Sequence, residues 1–155
     1  MSENKLTIDT RVSLGDGNSM PLLGLGTWAA QPGGETRDAV AFALETGYRH
    51  IDTAKMYNNE RDVGEAVRQS AIPRADIFVT TKLWDSDHGH QPAHDAFDLS
   101  MEQLGLEYVD LYLIHWPIEN LRNHSWHALE EIKESGRARS IGVSNFSHKH
   151  LQELF

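Results

Sequence analysis

Short apolar runs alternate along this chain with longer stretches that have helical spacing. The apolar runs, each of a length typical of a buried strand, are PLLGLGT, YRHIDT, DIFVTTKL, YVDLYLIH and RSIGVSN. In the stretches between and after them apolar residues recur every three or four positions, which predicts helices over 36–45, 59–69, 92–104, 121–134 and 148–155. The pattern therefore predicts strand–helix units that repeat about five times, at roughly 30-residue spacing.

The first part of the chain predicts a β-hairpin that lies outside this series. LTID and RVSL alternate weakly between apolar and polar residues, and GDGN follows them as a turn signal. We expect the hairpin to precede the first strand–helix unit, within a single domain over 1–155.

Strands that alternate with helices usually form a parallel sheet that is buried on both faces. Two architectures compete for this pattern, an open doubly wound sheet and a (β/α)8 barrel. An open sheet that binds a dinucleotide usually has the motif G-x-G-x-x-G after its first strand, whereas LGLGTW has only G-x-G. In a barrel, catalytic groups lie at the carboxyl ends of several different strands. The polar residues at the predicted strand ends have that placement, so we predict a barrel-type fold with about the first five units.

Those polar residues are Asp52, Tyr57, Lys82 and His115. Together they can protonate a carbonyl oxygen while a hydride reaches the carbon. Tyr57 is the candidate proton donor, and Lys82 is the candidate ammonium, because a positive charge beside a phenol favours the phenolate. Asp52 would position Lys82, and His115 would hydrogen-bond the substrate carbonyl or share the proton.

Each of these residues also has a structural explanation when it is considered alone. Asp52 at a strand end can cap a helix, and Lys82 can be solvated. Tyr57 can be a loop aromatic, and His115 can be a packing histidine. Because buried Asp and Lys occur mostly in pairs, the combination favours carbonyl reduction over four separate explanations.

Composition and charge narrow the class of protein. With 39% hydrophobic and 24% charged residues the chain has the composition of a folded soluble domain rather than of a disordered one. A net charge of −9 argues against a nucleic-acid partner, which would need a basic face. The absence of Cys excludes disulfides and thiolate metal sites. The N-terminus has no apolar signal core and no apolar run approaches ~20 residues, so we expect a cytoplasmic protein without a membrane segment.

Two polar segments carry weaker signals. His88, His90 and His94 cluster in DHGHQPAH, in the expected exposed loop after Lys82. No acidic or thiolate residue completes a zinc set at the usual spacing, so no metal site is predicted there. NNERDVGE is interpreted as the solvated start of a helix.

Several long motifs make the sequence similar to the aldo-keto reductases, a family of (β/α)8-barrel enzymes that use NADPH or, less often, NADH. GYRHIDTAKMYNNERDVG resembles the family's first signature, and SIGVSNF resembles its second. TTKLW, LIHWP and GLGTW resemble the segments around the family's lysine, its histidine and its first strand. The resemblance extends from about Val12 to the last residue. Within the family it is closest to bacterial reductases of small polar carbonyls, such as diketogluconate and methylglyoxal.

This resemblance implies roles for individual residues. Tyr57 matches the general acid, Lys82 and Asp52 match the pair that makes the phenol more acidic, and His115 matches the residue that orients the substrate. The residues that match the cofactor site around the nicotinamide are Thr27, Asp52, Ser144 and Asn145. The residues that match aromatic walls of the substrate pocket, beside His115, are Trp28, Trp84 and Trp116. Ser144 and Asn145 are equally typical of helix caps, and the tryptophans of a protein core.

The chain departs from the family in length. A (β/α)8 barrel takes ~250 residues, and here only about five of its units can be placed. In the family the remaining units carry a glutamine on the carboxamide, a tyrosine stacked on the nicotinamide and a basic segment on the adenosine phosphate. We therefore expect the isolated chain to bind NADPH weakly, and its open barrel edges favour self-association. Three alternatives stay open: a second chain supplies the missing wall, the sequence is a fragment of a longer gene product, or it is a natural truncation. The alternative function is that of a catalytically incomplete homologue that serves as a binding or assembly subunit.

Overall fold

The computed structural model describes residues 5–154 of the chain. The strands are β1 (Arg11–Ser13), β2 (Ser19–Pro21), β3 (Leu25–Gly26), β4 (His50–Asp52), β5 (Phe78–Leu83), β6 (Val109–Ile114) and β7 (Ala138–Val143). The α-helices are α1 (Gly34–Glu45), α2 (Glu60–Gln69), α3 (His90–Leu104), α4 (Arg122–Glu134) and α5 (His148–Leu154). Short 3-10 helices cover Lys55–Tyr57, Arg74–Asp76 and Asp85–Asp87. The predicted end of the last helix at Phe155 lies outside the described residues.

The predicted N-terminal hairpin is confirmed around the turn GDGN, but LTID forms no strand, and the partner of RVS is SMP from the other side of the turn. β1 and β2 pair antiparallel, with Val12 opposite Met20. Gly17 adopts a φ of 89° in the connecting turn, a conformation that glycine reaches without a steric penalty. The Asn18 side chain donates hydrogen bonds to Arg139 O and to Ser140 Oγ, both at 3.0 Å. These contacts hold the hairpin near the start of β7, away from the ends of the strands where the candidate chemistry lies.

The main sheet is parallel and follows the order of the chain, β3-β4-β5-β6-β7. Successive helices from α1 to α5 contact one another in the same order. A doubly wound sheet reverses its strand order and places helices on both sides, whereas a barrel keeps its helices on one side. The topology therefore confirms the barrel-type prediction, with the carboxyl ends of all five strands at one edge.

The expectation that both faces of the sheet would be covered is met on β5, where all six residues are buried, but not on β6. On β6, Tyr112 and Ile114 are fully buried in the hydrophobic core. Leu111 and Leu113 alternate with them on the opposite face and are only half-buried. The helices cover one face because right-handed crossovers of a barrel all return on the same side. Among the described residues, Leu111 and Leu113 on the face without helices are therefore less buried than Tyr112 and Ile114 on the face that the helices cover.

Helix α3 begins earlier than predicted and packs closely on α2. It starts at His90 rather than at Pro92, because a proline is also tolerated in the first turn, where backbone N–H groups have no partner within the helix. A Cβ added at Gly64 on α2 would lie 1.8 Å from the backbone oxygen of Leu104 on α3, so only glycine fits at this crossing. Within residues 5–154, no helix is long and apolar enough to cross a membrane.

Candidate active site

Four polar side chains meet at the carboxyl ends of β4, β5 and β6. Asp52 is the last residue of β4, Lys82 is the last but one of β5, and His115 directly follows β6. Tyr57 ends the 3-10 helix that follows β4. Lys82 Nζ lies 2.5 Å from Asp52 Oδ1 and 3.5 Å from Tyr57 Oη. The Tyr57 and His115 rings meet edge-on with their centroids 5.7 Å apart. The structure thus brings together all four residues that the sequence singled out.

Lys82 is the centre of the group. Its side chain is buried, and Nζ also donates a hydrogen bond to Thr53 O at 2.9 Å. An ammonium carries three N–H donors, and here the three acceptors are a carboxylate, a carbonyl and the Tyr57 hydroxyl. The Asp52 side chain retains 33% of its exposure, so it pairs with Lys82 at the border between core and solvent. This geometry holds a positive charge against the Tyr57 phenol.

The loop that carries Tyr57 is held from both sides. Tyr57 N–H donates to Ala54 O at 2.9 Å, and Asn58 then reverses the chain with a φ of 57°. Lys55, in the same 3-10 helix, forms an ion pair with Asp87 at 2.6 Å. Because Asp87 belongs to the loop after β5, this pair links the loops that bear Tyr57 and Lys82.

Asn59 is a buried residue of this region that the sequence interpretation missed. Its Nδ2 donates to Thr27 O at 2.9 Å, and its Oδ1 accepts hydrogen bonds from Thr53 Oγ1 at 2.8 Å and from Thr27 Oγ1 at 3.3 Å. The neighbouring Glu60 is also buried, and its Oε1 accepts a hydrogen bond from Thr81 Oγ1 at 2.5 Å. The expectation of a solvated helix start in NNERDVGE was therefore wrong for these residues. Their only sequence signal is their place inside the motif GYRHIDTAKMYNNERDVG.

His115 lies in a mainly aromatic surrounding that disfavours its charged form. Burial lowers the pKa of His115, and the nearby Lys82 ammonium lowers it further, against an opposing effect of Asp52. Its ring contacts Trp84 edge-on at 5.2 Å and stacks on Trp116 at 6.5 Å between centroids. A neutral imidazole carries one N–H, which makes His115 a hydrogen-bond donor to a carbonyl oxygen at neutral pH.

Ser144 and Asn145 lie next to this group, at the end of β7. Asn145 has a φ of 61°, and its Nδ2 donates to His115 O at 2.9 Å and to Ser144 Oγ at 3.1 Å. The start of α5 is capped by another residue, since Ser147 Oγ accepts the N–H of His150. The alternative that Ser144 and Asn145 serve as helix caps therefore finds no support in these contacts.

Thr27 and the three tryptophans occupy different positions around the group. Thr27 is buried, and its hydroxyl donates to Asp52 O at 3.1 Å, so its side chain points into the loops. Trp28 and Trp116 are 70% and 45% exposed, which excludes a core role for both. Trp84 is half-buried against His115. Trp84 and Trp116 therefore line the outside of the group at His115, and Trp28 lies on the surface after β3.

The histidine cluster after Lys82 separates into two environments. His88 is buried rather than exposed as expected; its Nδ1 lies 3.1 Å from Ser125 Oγ, and burial lowers its pKa. His90 and His94, on the surface of α3, both face Glu131 on α4. The sequence could not reveal Glu131 as their neighbour, because it is far away along the chain.

Comparisons with known proteins agree with this geometry. The model of the aldo/keto reductase family matches residues 22–154. The chain belongs to the aldo/keto reductase family. A 9,11-endoperoxide prostaglandin H2 reductase of Trypanosoma cruzi is 54% identical over 144 residues, which are 93% of this chain and 51% of that protein. A glyoxal reductase of Bacillus subtilis is 44% identical over 143 residues, which are 92% of this chain and 52% of that protein.

Solved structures of other aldo/keto reductases have the same fold. One from Brucella melitensis is 52% identical with a TM-score of 0.91, over 94% of this chain and 57% of that one. One from Bombyx mori, in complex with NADP, is 38% identical with a TM-score of 0.85, over 96% of this chain and 54% of that one. This aldo/keto reductase chain thus spans about half the length of the relatives it matches. The closer placement among diketogluconate and methylglyoxal reductases stays a prediction.

Proposed function

We propose that this protein reduces aldehydes and ketones to alcohols with NADPH, and that Tyr57 is the general acid. The observation that supports the proposal is the position of Lys82 Nζ, 2.5 Å from Asp52 and 3.5 Å from the Tyr57 hydroxyl, with His115 beside the same phenol. Family membership and the oxidoreductases among the relatives support carbonyl chemistry in general.

The reaction adds a hydride to the carbonyl carbon and a proton to its oxygen. The nicotinamide, when bound, supplies the hydride. Tyr57 Oη gives its proton to the oxygen, and the Lys82 ammonium stabilises the phenolate that remains. Asp52 and Thr53 O hold Lys82 in place. Neutral His115 donates its ring N–H to the same carbonyl oxygen and so orients the substrate.

The residues at the end of β7 have the donors and acceptors that a nicotinamide carboxamide needs. Ser144 Oγ accepts a hydrogen bond from Asn145 Nδ2, which leaves its own O–H proton for a carboxamide oxygen. The Asn145 side-chain oxygen supplies an acceptor for the carboxamide NH₂ group, and this side chain is exposed. We assign Ser144 and Asn145 to the cofactor on this basis. The Thr27 hydroxyl already donates inward, so we expect this residue to shape the site rather than to bind directly.

The choice of NADPH rests on the NADP that the Bombyx mori relative holds, and NADH remains the alternative cofactor. The substrate is expected to be a small carbonyl compound, because it must reach Tyr57 and His115 between aromatic side chains. We assign the walls of this pocket to Trp84, Trp116 and the more exposed Trp28.

The test is NADPH oxidation by the purified chain against a panel of small aldehydes and ketones. The Tyr57→Phe variant should lose at least about 10²-fold in kcat, because it cannot give a proton. Tyr108→Phe is the matched control, since the Tyr108 ring lies between Arg74 and Arg139 before the start of β6 and loses the same hydroxyl. Tyr108→Phe should leave turnover unchanged. Equal rates for wild type and Tyr57→Phe would refute the role of Tyr57.

Absence of turnover by a folded chain would leave the family membership standing and would fit either a fragment of a longer enzyme or the alternative function, a binding or assembly subunit without catalysis. Sedimentation of the same sample would show whether the active species is a monomer. Self-association through the open edges of the sheet, at β3 and β7, stays a prediction for that measurement.

A further inference from the structure

Two histidines and a carboxylate converge on the outer surface of the molecule, on the helices rather than at the strand ends. His90 and His94 are four residues apart on α3, so their side chains lie on the same face of the helix. His90 Nε2 is 3.1 Å from Glu131 Oε1, and His94 Nε2 is 2.8 Å from Glu131 Oε2. The ligand atoms of the three residues all lie within 4.8 Å of one another.

This spacing suits a tetrahedral ion. Two ligand atoms that are each ~2.0–2.1 Å from tetrahedral zinc lie about 3.3–3.4 Å from each other. The nitrogen–oxygen distances are 3.1 Å and 2.8 Å to the two different oxygens of Glu131, so the side chains need to shift by only a few tenths of an ångström to about half an ångström to surround one ion. Imidazole nitrogen together with carboxylate oxygen is a common zinc ligand set, and three protein ligands leave the fourth position to water.

We propose that His90, His94 and Glu131 bind Zn²⁺ and that the ion clamps α3 to α4. Two nitrogen ligands disfavour Mg²⁺ and Ca²⁺, which take oxygen ligands. Because the ligands come from two helices, the bound ion adds a crosslink between elements that already pack together. The proposal uses none of the residues assigned to the carbonyl chemistry, so it does not depend on that chemistry.

The charge state of the site favours a cation. The Glu131 carboxylate faces two imidazole nitrogens, one on each of its oxygens. Both histidines now direct Nε2 at that carboxylate, and a dication can replace the protons they share with it. His88, the third histidine of DHGHQPAH, is not a ligand because it is buried against Ser125.

Calorimetric titration of the chain with ZnCl₂, after removal of any histidine tag, tests the proposal. We expect one Zn²⁺ per chain in the wild type. Loss of one residue that hydrogen-bonds a metal ligand typically weakens metal binding about 10–100-fold. His94→Gln and Glu131→Gln each remove a ligand itself, so each should raise the Kd for Zn²⁺ by at least about tenfold. His127→Gln is the matched control, because His127 is an exposed histidine of α4 that pairs with Glu130 and not with Glu131. This control should bind Zn²⁺ as the wild type does.

A second measurement separates loss of the site from loss of the fold. Thermal unfolding without metal should still give a cooperative transition for His94→Gln, with a Tm slightly below that of the wild type because the contact of His94 with Glu131 is lost. Added Zn²⁺ should raise the Tm of the wild type and of His127→Gln, but not that of His94→Gln. The absence of binding at millimolar Zn²⁺, or an equal loss of affinity in His127→Gln and His94→Gln, would overturn the assignment.

Discussion

Replacement of Lys82 by methionine tests whether the buried ammonium organises the candidate site. Methionine keeps most of the side-chain volume but removes the charge that contacts Asp52, Thr53 O and the Tyr57 hydroxyl. Loss of one partner of a buried ion pair typically costs about 3–5 kcal/mol, since the other charge is left unpaired. The Asp52 side chain is 33% exposed and can be rehydrated, so we expect the lower end of that range, about 3 kcal/mol.

The matched control is Lys55→Met. Lys55 also forms an ion pair of about the same length, 2.6 Å, in the neighbouring loop, but it does not contact the Tyr57 hydroxyl. The Lys55 side chain is 27% exposed, against 7% for Lys82, so its charge is less desolvated and the loss of stability should be smaller than in Lys82→Met. Both variants lose one lysine, which makes the net charge the same.

Urea unfolding followed by circular dichroism measures the free energy of unfolding for both variants without any need for turnover. NADPH oxidation then measures kcat, which Lys82→Met should lower by at least about 10²-fold, because proton transfer from Tyr57 loses its stabilising charge. Lys55→Met should retain most of the activity. If the two variants lose the same stability and the same kcat, the reasoning about Lys82 is wrong.

Two further predictions concern the packing of the helices and the dependence of stability on pH. Gly64→Ala should destabilise the chain by about 3 kcal/mol, because the new Cβ overlaps the backbone of Leu104 and the two helices must move apart. The control Gly15→Ala places its Cβ in open space and should change the free energy of unfolding very little in the same urea titration. Burial lowers the pKa of His88 below its ordinary 6.5 in the folded chain. Near and below pH 6.5 the unfolded chain therefore binds more protons at this residue than the folded chain does, and the free energy of unfolding falls as the pH decreases. His88→Gln should therefore show a shallower loss of stability between about pH 7 and about pH 5, and identical slopes would contradict the assigned cause.

Much of the fold and of the candidate site could be predicted from local sequence. Asp52, Lys82 and His115 lie at or next to the end of an apolar run, and short apolar runs that alternate with helical spacing indicate strands from local sequence alone. Parallel strands place their carboxyl ends at one edge, so the proximity of these residues follows from the order of the elements. Tyr57 and the glycine-rich hairpin turn were predicted by motifs of the same local kind.

Other features were decided only by tertiary packing. Asn59 and Glu60 look like solvated residues in the sequence, because polarity predicts exposure, yet partners from other loops and strands bury them. Glu131 meets His90 and His94 only because α3 and α4 pack side by side.

The sequence by itself thus determined which residues end each strand, and with them the chemistry at that edge of the sheet. The tertiary structure decided which polar groups are buried, which face of the sheet is covered and which helices share a surface. The physical reason is the separation of the interacting residues along the chain. The ends of strands depend on neighbouring residues, whereas burial depends on contacts between residues that are distant in sequence.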